Sequence, residues 1–203
     1  MFVSDVFRAR TKRKYVYNIT AISNIPSIIQ HGILCFDEAK KLQHTSVAIN
    51  AVQERRDKVA IPHGLRLHRY ANLYFDHHNP MLYLRQDRAE DICILTVSSS
   101  IMDTKGCVLS DRNAAAKLVK FYPASEGIDK IDFEKVFAKF WTHDNYYEGL
   151  NHKAIKCAEV LVPHSVPFDY ILGAYVVSEA AAAKLRNAGF LKKIIVSPQV
   201  FYR

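Results

Sequence analysis

Apolar positions along the chain fall in short blocks whose spacing switches between strand-like and helix-like. KYVYNIT, residues 14–20, is rich in β-branched and aromatic side chains and predicts a strand. Ser23 then caps a short helix with Pro26 in its first turn; Ile25, Ile28 and Ile29 face inward and Gly32 ends it. Residues 46–58 predict a second helix that turns Val47, Ile49 and Val52 toward the core. Residues 73–75 read as a short apolar strand, and residues 79–83 open a further element. In the second half, residues 92–97 and 107–109 predict buried strands, and residues 113–119 and 133–140 predict helices. In AEVLV, residues 158–162, alternation sends Ala158, Val160 and Val162 to one face and Glu159 and Leu161 to the other. A buried strand over 171–177, an Ala-rich helix over 178–187 and a last strand over 193–196 complete the pattern. Strands and short helices interleave without a regular βαβ rhythm, which predicts an α+β fold rather than a doubly wound sheet.

Composition narrows this picture. The chain has 203 residues, 49% of them apolar and 24% charged, which fits one globular domain over residues 1–203 with a core that needs no disulfide or metal. No repeat, low-complexity stretch or Gly/Ser linker divides it. The basic N-terminus is followed by no apolar h-region, and no segment reaches the roughly 18 apolar residues of a membrane span, so a cytoplasmic protein with no membrane partner is expected. Cys35, Cys93, Cys107 and Cys157 are far apart and form no C-x-x-C pair, in keeping with a reducing compartment and no structural zinc. Twenty-eight Lys and Arg against twenty Asp and Glu leave a charge of +8. An anionic partner follows, nucleic acid first, although an inert basic surface has the same sum.

The seven glycines form neither G-x-G-x-x-G nor G-x-x-x-x-G-K, and no H-E-x-x-H or G-x-S-x-G occurs. Four local features carry candidate chemistry. QERRD, residues 53–57, is a dense charge cluster whose pattern alone reads first as a solvated helix end with i,i+3 and i,i+4 pairs. Residues 67–83 gather aromatics, histidines and an Asn-Pro turn; Asp76, His77 and His78 are adjacent and point to opposite faces, so they make poor joint metal ligands, and the stretch reads as an aromatic shelf or a Tyr-rich core edge. Glu159 either points into water or, if its face lines a cleft, serves as acid, base or charge stabiliser. WTHDNYYEGLNHKAIK, residues 141–156, interleaves rings with His143, His152, Lys153 and Lys156, which suits single-stranded nucleic acid or a polar surface loop.

Read in order, these strings resemble the DarT family, NAD-dependent DNA ADP-ribosyltransferase toxins of DarT–DarG toxin–antitoxin systems. The resemblance runs over nearly the whole chain: YNIT with NIPSIIQHGIL, then HTSVAINAVQERRDKVAIP, LHRYANLYFDHHNPMLY, LSDRNAAAKLVKFY, IDFEKVFAKFW, KCAEVLVPHSVPFDYI and a terminal VFYR. It implies the ADP-ribosyltransferase α+β fold, two small packed β-sheets flanked by short helices with NAD in a cleft between them. It also implies NAD as co-substrate with no metal, single-stranded DNA as acceptor, a DarG-like macrodomain antitoxin as partner, and a monomer. By the same resemblance Arg56 is the catalytic arginine and Glu159 the catalytic glutamate. Asn18 and Thr20 meet NAD where many members have His-x-Thr, so Asn18 departs from the family pattern. Tyr74 packs near nicotinamide, and Asn79, Met81 and Tyr83 form the pocket wall. Tyr146, Tyr147, His152, Lys153 and Lys156 would receive DNA, with Arg8, Arg10, Lys12, Arg13 and Lys14 on its phosphates.

The implied reaction transfers ADP-ribose to a thymine or guanine, and Asn18 in place of histidine leans toward guanine. Positive charge develops on the ribose as its bond to nicotinamide breaks, and Glu159 is suited to stabilise it. Arg56 would polarise the base carbonyl while staying protonated. RNA or a terminal phosphate as acceptor, a nucleic-acid-binding module without chemistry, and a metal nuclease stand as the alternatives.

Overall fold

A computed structural model describes residues 2–47 and 50–202, Asn50 through its backbone alone. Ile49, expected to face the core, lies outside the described residues. The strands are β1 (Tyr15–Ala21), β2 (Ile33–Leu34), β3 (Tyr70–Tyr74), β4 (Ile92–Ser98), β5 (Val108–Ser110), β6 (Phe121–Pro123), β7 (Glu159–Pro163), β8 (Ser165–Val166), β9 (Ile171–Val176) and β10 (Lys193–Val196). Eight of them form one sheet in the order β10-β9-β4-β1-β3-β7-β5-β6, and β2 pairs with β8 apart from it. Neighbours run antiparallel except β9 and β10. The sheet is pinched at its centre. β1 pairs with β4 along its whole length, from Tyr15 to Ala21, but meets β3 only at Tyr17 and Tyr74. The two small sheets expected from the resemblance are therefore two four-stranded halves joined by one residue pair.

Alternation along β7 works on both faces. Val160 and Val162 enter the larger core with Phe7, Phe75, Ile94 and Leu95, while Leu161 enters a smaller core with Ile61, Leu67, Tyr70 and Val108. Glu159 shares Leu161's parity, so it points beneath the segment that carries the 50–57 helix rather than into water.

Three expected elements differ. Residues 113–119 form turns, not a helix. Their backbone bonds close i→i−3 turns, Ala116 N to Asn113 O at 2.8 Å and Val119 N to Ala116 O at 3.3 Å, while Ala114 N is drawn to Glu159 Oε1 at 2.8 Å. The helix at 133–140 stops at Phe137, because Lys156 Nζ donates to the carbonyls of Val136 (2.7 Å) and Ala138 (3.0 Å). Most of the expected loop at 141–156 is a helix, Tyr146–Lys156, capped by Asn145 Oδ1, which accepts from Tyr147 N and Glu148 N. Ser23 does not cap the following helix; its hydroxyl donates to Thr45 Oγ1 at 3.0 Å. That helix does end at Gly32, whose φ of 77° and 2.2 Å approach of a hypothetical Cβ to Val166 O exclude any other residue without strain. Among the described residues no helix is long and apolar enough to cross a membrane.

Candidate active site

The helix Asn50–Asp57 leaves Glu54, Arg55 and Asp57 exposed and turns Arg56 inward. There the guanidinium meets the carboxylate of Glu159, the first residue of β7. Arg56 Nη1 donates to Oε1 at 2.9 Å and to Oε2 at 3.1 Å, and Nη2 donates to Oε2 at 3.1 Å. Such a two-pronged pair fixes orientation as well as charge. Glu159 Oε1 also accepts the Ala114 amide, so the carboxylate is held from two directions, and the Glu159 amide anchors its backbone by donating to Ser110 Oγ at 3.2 Å. Glu159 is fully buried, whereas Arg56 keeps 7% of its surface and lines a cavity of about 180 Å³. The guanidinium thus stands between the cavity and the carboxylate. Burial works against charge on Arg56, but Glu159 outweighs it through attraction and hydrogen bonding and holds Arg56 above its ordinary range.

Tyr74 is the register partner of Glu159 across β3 and β7 and lines the same cavity with Met81, Asn72 and Val52. Burial, reinforced by the Glu159 charge, raises the Tyr74 hydroxyl well above the usual range, so it stays protonated. The cavity sits beside the pinch in the sheet. On the other side of that pinch a second cavity, of about 160 Å³, is lined by Asn18, Thr20 and Thr45, and Val47 lines both. Asn18 Nδ2 donates to Asn72 O at 3.2 Å, yet its buried Oδ1 has no partner. Thr20 Oγ1 accepts from Asn24 Nδ2 at 3.1 Å. Asn24 also clasps Thr45 in both directions, and Arg85 Nε donates to Val47 O at 2.7 Å, so the segment before Ala48 is pinned over the cleft. Asn24, Asn72, Arg85 and Ala114 were not singled out in the sequence. Asn24 and Arg85 act through backbone partners far along the chain, and the other two through their own backbone, which no residue-type motif reveals.

Several expected site residues lie elsewhere. Asn79 is fully buried and spent on structure: Oδ1 accepts the Leu82 amide and Nδ2 donates to Asp76 O, so its side chain cannot reach a dinucleotide. Tyr83 does not line the Arg56 cavity; it projects from the opposite side of the Pro80–Tyr83 helix into a separate groove. Lys156 cannot contact a phosphate, because it is fully buried and its Nζ donates to Asp76 Oδ2 at 3.0 Å. Burial lowers its pKa, against the pull of Asp76. His152 is likewise turned inward, donating through Nε2 to Lys135 O at 2.9 Å and accepting at Nδ1 from His143. Tyr146, Tyr147 and Lys153 are exposed. In the N-terminal cluster Arg10 is engaged with Ile128 O and Asp129, and Arg13 stacks 3.9 Å over Phe137, while Lys12 and Lys14 are exposed. Among the described residues no group of three or more His, Cys, Asp and Glu side chains is placed to hold a metal.

Residues 17–202 match the model of the family described as ssDNA thymidine ADP-ribosyltransferase, DarT. A Thermosipho africanus DNA ADP-ribosyl transferase–DNA ADP-ribosyl glycohydrolase fusion protein is 32% identical over 190 residues, which take in 90% of this chain and 47% of the fusion. Thermosipho africanus DarTG in complex with ADP-ribose superimposes with a TM-score of 0.79 at 28% identity, over 94% of this chain and 51% of that one. Thermus sp. 2.9 DarT in complex with ADP-ribosylated ssDNA gives 0.78 at 25% identity, over 94% and 97%. The chain spans about half the length of the Thermosipho relative.

Proposed function

The chain belongs to the DarT family, and we propose on that footing that it transfers the ADP-ribosyl group of NAD to a base in single-stranded DNA, releasing nicotinamide. The observation that carries the reading is the Arg56–Glu159 pair at the wall of a cleft opened where the sheet is pinched. A buried carboxylate held by the Ala114 amide and covered by a guanidinium has no structural necessity, since an apolar pair of similar volume would serve the core as well.

In the reaction the bond between ribose C1′ and nicotinamide breaks, C1′ bonds to a base nitrogen, and the proton of that nitrogen goes to solvent. Nicotinamide leaves as a neutral ring and needs no acid. Glu159 lies behind Arg56, so the ribose hydroxyls must take the place of at least one guanidinium contact to reach the carboxylate. Arg56, swung into the cavity, then meets the base carbonyl and makes loss of the ring proton easier without giving up its own. The low-dielectric wall makes both contacts stronger than they would be in water. Asn18 Oδ1, buried in the cleft without a partner, fits a donor of NAD, an amide or a ribose hydroxyl. Tyr74, protonated and beside Glu159, and Met81 supply flat and polarisable wall for the nicotinamide ring. The base must leave its stack to enter, which favours a single strand.

The family description favours thymine over guanine and outweighs the lean from Asn18. Fusion to a glycohydrolase in the Thermosipho relative supports a macrodomain partner that removes the modification, as in a toxin–antitoxin pair. Four buried, free cysteines support a reducing compartment. The test is direct: protein, NAD and a panel of short oligonucleotides are incubated and read by mass. A gain of one ADP-ribose on thymine-containing single strands is expected. No gain on any single strand would overturn the reading.

A further inference from the structure

Resting on that reading, we propose that the groove on the opposite side of the Pro80–Tyr83 helix from Arg56 is the track for the nucleotides flanking the target base, which stack on Tyr83, Trp141 and Tyr202. The groove holds about 600 Å³ and is walled by these three rings together with His78, Lys139 and Lys153. The rings meet edge to face: Tyr83 and Trp141 at 6.2 Å and 83°, Tyr83 and Tyr202 at 5.4 Å and 89°, Trp141 and Tyr202 at 6.2 Å and 90°. His78 backs the cluster, 4.6 Å from the Tyr202 ring and 5.2 Å from Trp141, while Tyr83 stays 53% exposed with Phe140 beside it at 70%. A core cluster would bury those two outer rings.

Charge selects the occupant. Lys139 and Lys153 stand exposed along the groove, and among the described residues no acidic side chain lines it. Open rings flanked by cations match a strand whose bases stack while its phosphates follow the charge. The floor is rigid, because buried Lys156 holds the Val136 and Ala138 carbonyls and sits 5.8 Å from the Trp141 ring. The groove is also continuous with the reaction site: Pro80 and Leu84 line both it and the Arg56 cavity. A strand lying in the groove therefore passes its next base over that ridge to Arg56. Of Tyr146, Tyr147, His152, Lys153 and Lys156, the residues expected to receive DNA, only Lys153 lines the groove.

Trp141 is the single tryptophan of the chain, so its emission reports the groove alone. Without NAD, a short mixed-sequence single-stranded oligonucleotide should quench it to saturation, and the affinity should fall with salt by roughly 0.7 log units per log unit for each phosphate engaged. With NAD, Tyr83→Ala should raise the KM for DNA about 5- to 150-fold, the worth of one stacked base, leaving kcat at saturating DNA and the KM for NAD unchanged. Tyr83→Phe should restore it, which a mere folding defect would not allow. An active wild-type protein with no quenching and an unchanged KM in Tyr83→Ala would overturn the groove and leave the transfer reading standing. Quenching by a recombinant macrodomain partner but not by oligonucleotide would overturn it in favour of protein docking. Saturable quenching without modification of any oligonucleotide would uphold the groove and remove the transfer.

Discussion

Arg56→Ala is the sharpest perturbation the structure offers, because it separates what the buried pair does for folding from what it does for chemistry. The change leaves Glu159, which has no exposed surface, as an unpaired carboxylate. Breaking a buried pair from one side costs about 3–5 kcal/mol. For a chain of this size each kcal/mol moves the midpoint by about 2–4 °C, so the expected loss is about 6–20 °C in Tm. Glu159→Gln should be milder, about 1–3 kcal/mol, since the amide oxygen still accepts the Ala114 N–H and Arg56 can turn into the cavity beside it. Glu159→Ala loses that acceptor as well and is the poorer probe. The double variant Arg56→Met/Glu159→Gln removes the charges together and should regain most of the stability. Transfer should fall in all of them, each lost group costing about a hundred- to a thousandfold in rate, with the double variant the lowest. Thermal unfolding followed by circular dichroism gives the first quantity and oligonucleotide mass the second. If Arg56→Ala unfolds within about 0.5 kcal/mol of wild type, or the double variant is no more stable than the singles, Arg56 and Glu159 do not form a buried, mutually dependent pair.

Three further outcomes are expected. Burial pushes His77 down to about 4, against the attraction of Asp76 and with Arg13, His78 and Lys156 also facing it. The unfolded chain therefore takes up this proton first. Stability from a neutral His77 is complete above about pH 6.5 and is lost between there and about 4, a total of about 3 kcal/mol; urea unfolding at both ends should show that part of the acid loss vanish in His77→Gln. Lys156→Met strands Asp76, buried with the Arg13 guanidinium at 4.0 Å and the His78 amide at 3.4 Å, and should lose about 3–5 kcal/mol; Lys156→Met/Asp76→Asn should regain part of it, and equal stability of the two would refute the pairing. Asn18→Ala should raise the KM for NAD about 2- to 13-fold, one hydrogen bond, with the KM for DNA unmoved; a change in the DNA value instead would place Asn18 outside the NAD cleft.

Elements with a strong local period were legible. β1, β4 and β9 announce themselves by β-branched and aromatic runs, and the helix Glu179–Asn187 by its Ser178 cap, whose Oγ accepts the Ala181 amide. Arg56 and Glu159 were legible as residue types through the family resemblance, though neither charge cluster nor strand alternation fixed them inside the protein. What failed were segments whose own pattern lost to a distant partner. Residues 113–119 are Ala-rich and read as a helix, but they close i→i−3 turns and are tied through the Ala114 amide to Glu159, 45 residues away. Residues 141–156 read as a wet basic loop because His152 and Lys156 are polar; both are inward residues of a helix, satisfied by carbonyls of the preceding helix and by Asp76. A polar residue's burial depends on its partner, and the partner is not in the local string.

The same dependence explains where the cleft lies. A strand inside a sheet uses its backbone groups on both edges. β1 uses them along its whole length toward β4 but toward β3 only at Tyr17. Beyond that point the two halves diverge, and the Asn72 carbonyl, released from the ladder on that edge, is taken by the Asn18 side chain. Asn18 is thereby held in place by one end while its Oδ1 is left open. An unmet acceptor buried beside Thr20 costs stability unless something fills the cleft, and a polar dinucleotide can do so. The weakest join of the sheet and the site that needs a ligand are thus one feature. Tightening that join, for instance by extending β1–β3 pairing, would close the cleft beside Asn18 while making the sheet more regular.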